Sequence, residues 1–334
     1  MSIRSLITGG TGFVGQHLAS FLHSRGSRVA ILAPKAQGSL ESADSSTHFY
    51  EADIRDAAAV RAATHDFKPD HIYHLAAVSS VDTSQQSPRF TYDVNVFGTL
   101  NVLEAALTCS RQPRVLLVST AQVYAPGASA LTESSPLAPQ NPYAASKSMA
   151  ELLRVHYKGG ILIARSFNHS GPGQSSAFVL SSIARQFVEI ELGLREPRLS
   201  LGNTQVKRDF TDVRDVVRAY SSLLEKSRPN EIYNVCSGRT WSVQQIVEEF
   251  QSISGIAVRI QTDAAKVRPG EVSEVCGSFQ KLHAATGWEP EISLPTTLRD
   301  LLSYWRAELA GTDRQASRIS SVPATSSPGH LVSK

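Results

Sequence analysis

Tyr143 and Lys147 stand four residues apart in Asn141-Pro142-Tyr143-Ala144-Ala145-Ser146-Lys147, a stretch whose proline favours a helix start. That spacing places a phenol and an ammonium on one helix face. A tyrosine with an ordinary pKa of about 10 is a poor acid or base at neutral pH. A neighbouring ammonium favours the phenolate and brings proton transfer toward working pH. Upstream, Val115–Ser119 reads as a buried strand that delivers Thr120 at its carboxyl end, the edge at which open α/β sheets bind ligands. Thr120 is thereby a hydrogen-bond partner for a substrate oxygen that gains or loses a proton.

The second constellation is Thr8-Gly9-Gly10-Thr11-Gly12-Phe13-Val14-Gly15, which follows the first strand-like run and opens the first helix-like one. G-x-G-x-x-G at residues 10, 12 and 15 coexists with G-x-x-G-x-x-G at 9, 12 and 15. Both registers let backbone approach a pyrophosphate that a Cβ would block, with the helix N-terminus supplying N–H groups and positive potential. Gly9, Gly12, Phe13, Val14 and Gly15 are therefore the candidate dinucleotide contacts. The positive charge of an oxidised nicotinamide would add to that of Lys147 at Tyr143. The next strand ends Ile31-Leu32-Ala33-Pro34-Lys35 without the carboxylate that holds an NAD ribose. Lys35 favours the 2′-phosphate of NADPH, with NADH left open. Asp53 and Ile54 close the third strand beside the adenine position, where Asp53 could equally cap the following helix.

Short β-branched runs alternate with amphipathic segments to position these groups. Strands are predicted at Ser5–Thr8, Arg28–Ala33, His48–Asp53, His71–Ala76 and Val115–Ser119. Val14, Leu18, Phe21 and Leu22 share one helix face, and a longer helix is expected over Asp93–Ser110. Strand–helix–strand alternation implies right-handed crossovers and a Rossmann-type doubly wound parallel sheet covered on both faces. Beyond residue 165 the rhythm becomes irregular, with strand-like pieces at Ile161–Ala164 and Glu231–Val235 and helix-like pieces at Ala177–Leu192 and Val213–Glu225. The expected organisation is a nucleotide-binding domain over 1–165 with later segments interleaved, a smaller α/β substrate lobe over 166–308, and a disordered tail over 309–334, rich in serine and proline.

Composition excludes several classes. The 334 residues are 41% hydrophobic and 19% charged, an ordinary globular mixture. A net charge of +3 is too mild to point to nucleic acid. No apolar run approaches the roughly 18 residues of a membrane span. The start leads straight into a strand without a signal core, and Cys109, Cys236 and Cys276 form no C-x-x-C pair. These features suit a reducing, cytoplasmic setting. His71 and His74 lack partner carboxylates, so no metal is expected.

With these residues in view, the chain from about Ile3 to Trp305 resembles the extended short-chain dehydrogenases/reductases, a family of nucleotide-sugar epimerases, dehydratases and 4-keto reductases. Arg165-Ser166-Phe167-Asn168-His169-Ser170-Gly171-Pro172-Gly173-Gln174 resembles the sugar-site segment of GDP-4-keto-6-deoxy-D-mannose reductases. Arg208–Val216 and Tyr233–Gly238 match that subgroup as well, and Arg268–Val272 followed by Thr286–Pro290 resembles the carboxy-terminal pattern of the wider family. The resemblance implies catalysis by Thr120, Tyr143 and Lys147. It adds Leu75, Ala76 and Ala77 to the cofactor contacts and assigns Ser79, Gln122, Asn168, Arg208, Arg268 and Glu271 to the substrate. The arginines would face the diphosphate and Glu271 the ribose, and arginine forks suit phosphate geometry. His169 reads equally as a core histidine or a ligand contact.

The reaction turns on Gln122. Dehydratase relatives carry a carboxylate two residues after the Thr120 position, and an amide cannot exchange protons there. Reductases of this type often carry aspartate at the same place, which leaves the sugar and its C4 stereochemistry open. The expected activity is NAD(P)H-dependent reduction of the C4 ketone of a GDP-4-keto-6-deoxyhexose, giving GDP-D-rhamnose or its C4 epimer. An NAD-dependent nucleotide-sugar 4-epimerase is the alternative, and a GDP-mannose 4,6-dehydratase stands behind it. Homodimerisation is expected from the relatives.

Overall fold

The computed structural model describes residues 2–34, 47–127, 130–157, 160–267 and 272–320. The first elements are β1 (Arg4–Thr8), α1 (Phe13–Ser24), β2 (Arg28–Ala33), β3 (His48–Glu51), α2 (Ala57–Phe67) and β4 (His71–His74). Next come α3 (Val81–Gln86), α4 (Pro88–Tyr92), a π-helix (Asp93–Gly98), α5 (Thr99–Leu107), β5 (Arg114–Thr120), α6 (Pro142–Leu152) and β6 (Ile161–Ser166). The chain then leaves for the second lobe through β7 (Asn168–Ser170), α7 (Val179–Glu191), β8 (Arg198–Leu201) and β9 (Lys207–Asp212). It returns with α8 (Val213–Lys226) and β10 (Ile232–Val235). The remaining elements are β11 (Thr240–Ser242), α9 (Val243–Ser254), β12 (Arg259–Thr262), β13 (Glu274–Val275), α10 (Gln280–Thr286) and α11 (Leu294–Ser320).

Seven strands form one parallel sheet in the order β10-β6-β5-β4-β1-β2-β3. The order reverses between β1 and β4, the topological switch point at which such sheets bind ligands. Strand side chains alternate between two cores. Leu6, Ala30, Leu32, Ile72, Val115 and Leu117 pack with α2 and α5, whereas Ile7, Val29, Ile31, Tyr73 and Leu116 pack with α1, α8 and Trp288. Burial on both faces explains why these strands read as continuous apolar runs. The second lobe has a core of its own, with Phe187 stacked on Phe250 at 5.4 Å and Leu298, Leu301 and Leu302 beneath. Its strands form a small sheet in which β7, β11 and β13 surround β9, and a β8–β12 pair.

Three expectations are corrected. The helix expected over Asp93–Ser110 is π-helical to Gly98 and ends at Leu107. The wider turn carries Asn95 inward, where its amide accepts from the Val78 N–H (2.8 Å) and donates to Val78 O (3.1 Å) and Ser146 Oγ (2.9 Å). The strands expected to reach Asp53 and Ala76 stop at Glu51 and His74. The helix α11 runs to Ser320, into the segment expected to be unstructured, because no proline interrupts the sequence between Pro295 and Pro323. Residues 321–334 lie outside the described ones.

Candidate active site

Tyr143 owes its position to the start of α6. Asn141 caps that helix by accepting from the Ala144 N–H at 2.9 Å, Pro142 occupies the first turn, and the Tyr143 N–H donates to Ser84 Oγ at 3.2 Å. The Tyr143 side chain is buried, with the Thr120 hydroxyl beside its own. Burial raises the phenol's pKa and the neighbouring Thr120 hydroxyl partly offsets this, so the hydroxyl keeps its proton at neutral pH. Lys147, one turn on and also buried, donates from Nζ to Val118 O at 2.8 Å. Burial brings its pKa down to about 8, with Glu151 opposing that shift.

The end of β5 supplies the facing groups in sequence. Val118 gives its carbonyl to Lys147, Ser119 gives its hydroxyl to Glu151 Oε1 at 2.5 Å, and Thr120 meets Tyr143. Past the strand, Thr120 Oγ1 accepts from the Gln122 N–H at 3.2 Å, and Gln122 Oε1 accepts from Asn141 Nδ2 at 3.1 Å. Gln122 is exposed, with no carboxylate at its position.

The glycine turn joins β1 to α1. Gly9 has φ +69°, and a Cβ there would lie 2.8 Å from the Ala76 backbone. A Cβ on Gly15 would lie 2.5 Å from Gly10 Cα, so this glycine lets α1 start against the turn. Gly12 differs: among the described residues its Cβ would meet only the Gly9 carbonyl oxygen, at 3.3 Å. Packing therefore requires Gly9 and Gly15, whereas Gly12 leaves an open cradle at the helix N-terminus. That cradle and its N–H groups fit a dinucleotide diphosphate.

Phe13 and Val14 open α1, with Phe13 stacked on His169 at 6.3 Å. His169 is half-buried, its pKa is lowered by desolvation, and its Nδ1 faces Phe167 O at 3.0 Å. Leu75, Ala76, Ala77 and Ser79 follow β4, Ser79 being exposed. Ile54 is buried against Gly98. Asp53 does not cap α2; Asp56 does, accepting from Ala58 and Ala59, because it is the residue directly ahead of the first turn. Asp53 is instead gripped by the Arg55 guanidinium, with Nη2 to Oδ2 at 2.7 Å. That bond lowers its pKa.

On the lobe side, Asn168 lies exposed on β7 and Arg208 half-buried on β9, where its Nη1 donates to Lys207 O and Val272 O, each at 2.8 Å. Lys35, Arg268 and Glu271 lie outside the described residues. The parallel register of β1, β4 and β5 thus brings the turn, the β4 loop, Thr120 and the α6 face to one sheet edge. Among the described residues no group of three or more His, Cys, Asp or Glu side chains could hold a metal, and no helix is long and apolar enough to cross a membrane.

Sequence reasoning missed the supports beneath this site. His74 is fully enclosed between Thr8 Oγ1 (2.7 Å, at Nδ1) and Thr99 Oγ1 (2.8 Å, at Nε2). Because Thr99 Oγ1 donates its own proton to Asn95 O at 2.7 Å, Nε2 is the protonated nitrogen and Nδ1 accepts from Thr8. Burial, with Lys147 nearby, brings the His74 pKa down to about 3, so it stays neutral. Glu151 could have been found, standing four residues after Lys147 as Lys147 stands four after Tyr143. Asn95 carried no signal.

A strand order of this kind, opened by such a glycine turn and served by a Tyr-x-x-x-Lys helix, defines the class of extended short-chain dehydrogenases/reductases. More narrowly, the sequence pattern of the GDP-mannose 4,6 dehydratase family matches residues 6–301, and the chain belongs to that family. It is 35% identical to the GDP-6-deoxy-D-mannose reductase of Pseudomonas aeruginosa, covering 92% of this chain and 99% of the relative. The structure of RMD from Pseudomonas aeruginosa complexed with NADPH is similar with a TM-score of 0.80 at 33% identity, covering 92% of this chain and all (100%) of the other. The Thermus thermophilus UDP-glucose 4-epimerase complex with NAD has a TM-score of 0.80 at 29% identity, covering 91% of this chain and 99% of the other.

Proposed function

We propose that this protein reduces the C4 ketone of a GDP-4-keto-6-deoxyhexose to the alcohol of a GDP-6-deoxyhexose, GDP-D-rhamnose or its C4 epimer, using NADPH or NADH. The reading is carried by one observation: a protonated, buried Tyr143 paired with Thr120 beside the amide of Gln122. This set can complete a ketone reduction and lacks, at residue 122, the carboxylate that dehydration would use. The 35% identity to a GDP-6-deoxy-D-mannose reductase supports the substrate class, and the likeness to an NADPH complex supports the cofactor. Lys35 supports NADPH in the same sense.

Gly9, Gly12, Gly15 and the first turn of α1 would hold the diphosphate of the dinucleotide, and Lys147 its nicotinamide ribose. When bound, the reduced nicotinamide supplies the hydride. Tyr143 gives its hydroxyl proton to O4 as the carbonyl's π pair moves onto that oxygen. Thr120 holds O4 by a hydrogen bond. The phenolate left on Tyr143 is stabilised by the Thr120 hydroxyl and the Lys147 ammonium until water returns a proton. Arg208 and Arg268 would face the nucleotide-sugar diphosphate, Glu271 its ribose, and Asn168, Ser79 and Gln122 the sugar.

The test is nicotinamide absorbance with purified protein, GDP-4-keto-6-deoxymannose, and NADPH or NADH in parallel. Rapid oxidation with a GDP-6-deoxyhexose product by NMR is expected, whereas a flat trace with both cofactors overturns the assignment. A second reading, a nucleotide-sugar 4-epimerase, draws on the 29% identity to an NAD-bound epimerase and uses the same Tyr143, Lys147 and Thr120. NAD retained stoichiometrically through purification, with no ketone reduction, would favour it.

The same reading includes a cytosolic homodimer. Three free cysteines suit a reducing compartment. Phe97, Met149, Leu152 and Val155 are 58%, 46%, 66% and 68% exposed, an apolar face on the π-helix, on α6 and just after it. Sedimentation of Leu152→Glu against the parent chain tests it. A dimer unchanged in the variant would remove this face as the contact.

A further inference from the structure

The face of α6 carries a third polar residue after Tyr143 and Lys147. Glu151 follows at the same four-residue interval, and its side chain is 5% exposed. Arg165, its partner from β6, is 3% exposed. Arg165 Nε donates to Glu151 Oε1 at 3.0 Å and Oε2 at 3.2 Å, Nη2 donates to Oε2 at 2.6 Å, and Ser119 Oγ adds a bond to Oε1 at 2.5 Å. Strand register makes this possible, because Ser119 and Arg165 are paired neighbours in β5 and β6. The guanidinium is fixed in turn by the Tyr124 ring, 4.8 Å from its carbon, and by Nη1 donating to Glu133 O at 3.3 Å.

Left to itself, a glutamate four residues after a lysine on one helix face would form an ion pair with it. Here the lysine bonds the Val118 carbonyl instead, and the carboxylate has both oxygens engaged. A buried ion pair is weak evidence of a stabilising role, since apolar residues of similar volume often serve as well or better. A lysine that must keep its ammonium toward the cleft does need the carboxylate one turn away to be occupied.

We propose that Arg165 and Ser119 hold Glu151 as a positioning unit for Lys147, keeping the carboxylate saturated so that it does not draw the ammonium away from Tyr143. The proposal rests on the reductase reading for its catalytic consequence. Arg165 and Glu151 are positioning residues and touch neither substrate nor cofactor. The titratable groups facing Lys147 are Tyr143 and Glu151 on its own helix and His74 from β4, held neutral. Arg165 from β6 faces it through Glu151, and β5 contributes hydroxyls and a carbonyl. Tyr220 of α8 faces Tyr143 and keeps its proton, its pKa raised by burial.

Charge logic gives the two single variants opposite signs. Arg165→Met leaves a carboxylate beside the ammonium and favours the protonated lysine. Glu151→Gln leaves an uncompensated guanidinium and disfavours it. The alkaline limb of kcat/KM for ketone reduction is expected to move up by about one pH unit in Arg165→Met and down by about one in Glu151→Gln. The double variant should return to the parent's limb. A merely structural pair would lower stability in both singles and leave the limb in place. Limbs that stay put, or shift in the same direction, overturn the proposal.

Two further measurements keep the test decisive. If the single variants fail to fold, Ser119→Ala retains both charges while freeing one carboxylate lone pair. The midpoint of Lys147 should then rise, and an unmoved midpoint refutes the unit. That midpoint is read from the ¹³Cε resonance of Lys147, identified by its loss in Lys147→Arg, and it requires no substrate. A parent chain that turns over no ketone would sink the reductase reading while the resonance still decides the positioning unit.

Discussion

The two sides of the cleft are built differently. On the side of β5 and α6, the candidate catalytic groups are buried and each faces a strand residue: Tyr143 lies beside Thr120, and Lys147 donates to Val118 O. On the lobe side, Asn168 is exposed and Arg208 is half-buried, each on a short strand. The first side has one arrangement available to it, fixed by sheet register and a capped helix. The second presents polar groups on small sheets and loops that can be reshaped without disturbing the first. On the proposed reading, reaction type would belong with the rigid half and choice of sugar with the adaptable half, the usual division between a scaffold and its loops.

The strongest way to break this contrast is Tyr143→Phe. Loss of the proton donor should lower kcat by about a thousandfold, within the range for general acids, with NADPH affinity nearly intact by fluorescence titration. Near-normal turnover would remove the phenol from the reaction. Arg208→Ala should act on the other half, raising KM for the nucleotide-sugar by about ten- to a hundredfold while kcat changes little. A fall confined to kcat would mean that the halves are not separable.

The glycine turn sharpens the comparison within the rigid half. Gly15→Ala forces a Cβ to 2.5 Å from Gly10 Cα. It should cost about 1–3 kcal/mol of stability in denaturant melts. Gly12→Ala meets only a carbonyl oxygen at 3.3 Å, so it should melt near the parent yet bind NADPH about tenfold more weakly. Equal losses of stability in the two would erase the distinction between packing glycine and ligand glycine.

The smallest effect concerns pH. Burial holds the Lys147 pKa at about 8, below its ordinary 10.5, so kcat/KM for reduction should decline above pH about 8 as the ammonium is lost. Stability responds with the opposite sign. Between about pH 8 and 10.5 the unfolded lysine keeps a proton that the folded one has released, so this group alone makes stability rise with pH across that window. Lys147→Met should flatten that slope in melts at several pH values.

What could be read from the sequence follows the same division. The strands, the glycine turn and the Tyr143–Lys147 face were legible because two-sided burial makes continuous apolar runs and a helix repeats every four residues or so. The strand order and the chain's return to the first sheet depend on contacts far apart in sequence. So do the enclosure of His74 by Thr8 and Thr99 and the Arg165 fork on Glu151. The π-helix was hidden because nothing in the pattern of Asp93–Gly98 separates a π turn from an α turn, and the contacts that accompany it, Asn95 on Val78 and Ser146 and Gly98 against Ile54, are distant in sequence. Asp53 was misread as a possible cap because a carboxylate near a helix start looks alike whether it caps or is held by Arg55.

The order in which the chain is made bears on the last strand of the main sheet. β10 pairs with β6, yet the second lobe's β7, α7, β8 and β9 are all synthesised between them. Until β10 leaves the ribosome, Ile161–Ser166 is a buried-type strand with an open edge, the kind of surface that recruits other chains. In the finished protein the Asn234 N–H of β10 donates to Glu133 Oε1 at 2.7 Å, so β10 meets a carboxylate where β6 alone would offer bare backbone. The second lobe is thus interleaved with the main sheet: it begins between β6 and β10 and is completed after β10 by β11, α9, β12, β13 and α11. Ribosome-stalled chains ending before β10 should stay open to protease at β6, and those extending past Val235 with the lobe complete should resist it.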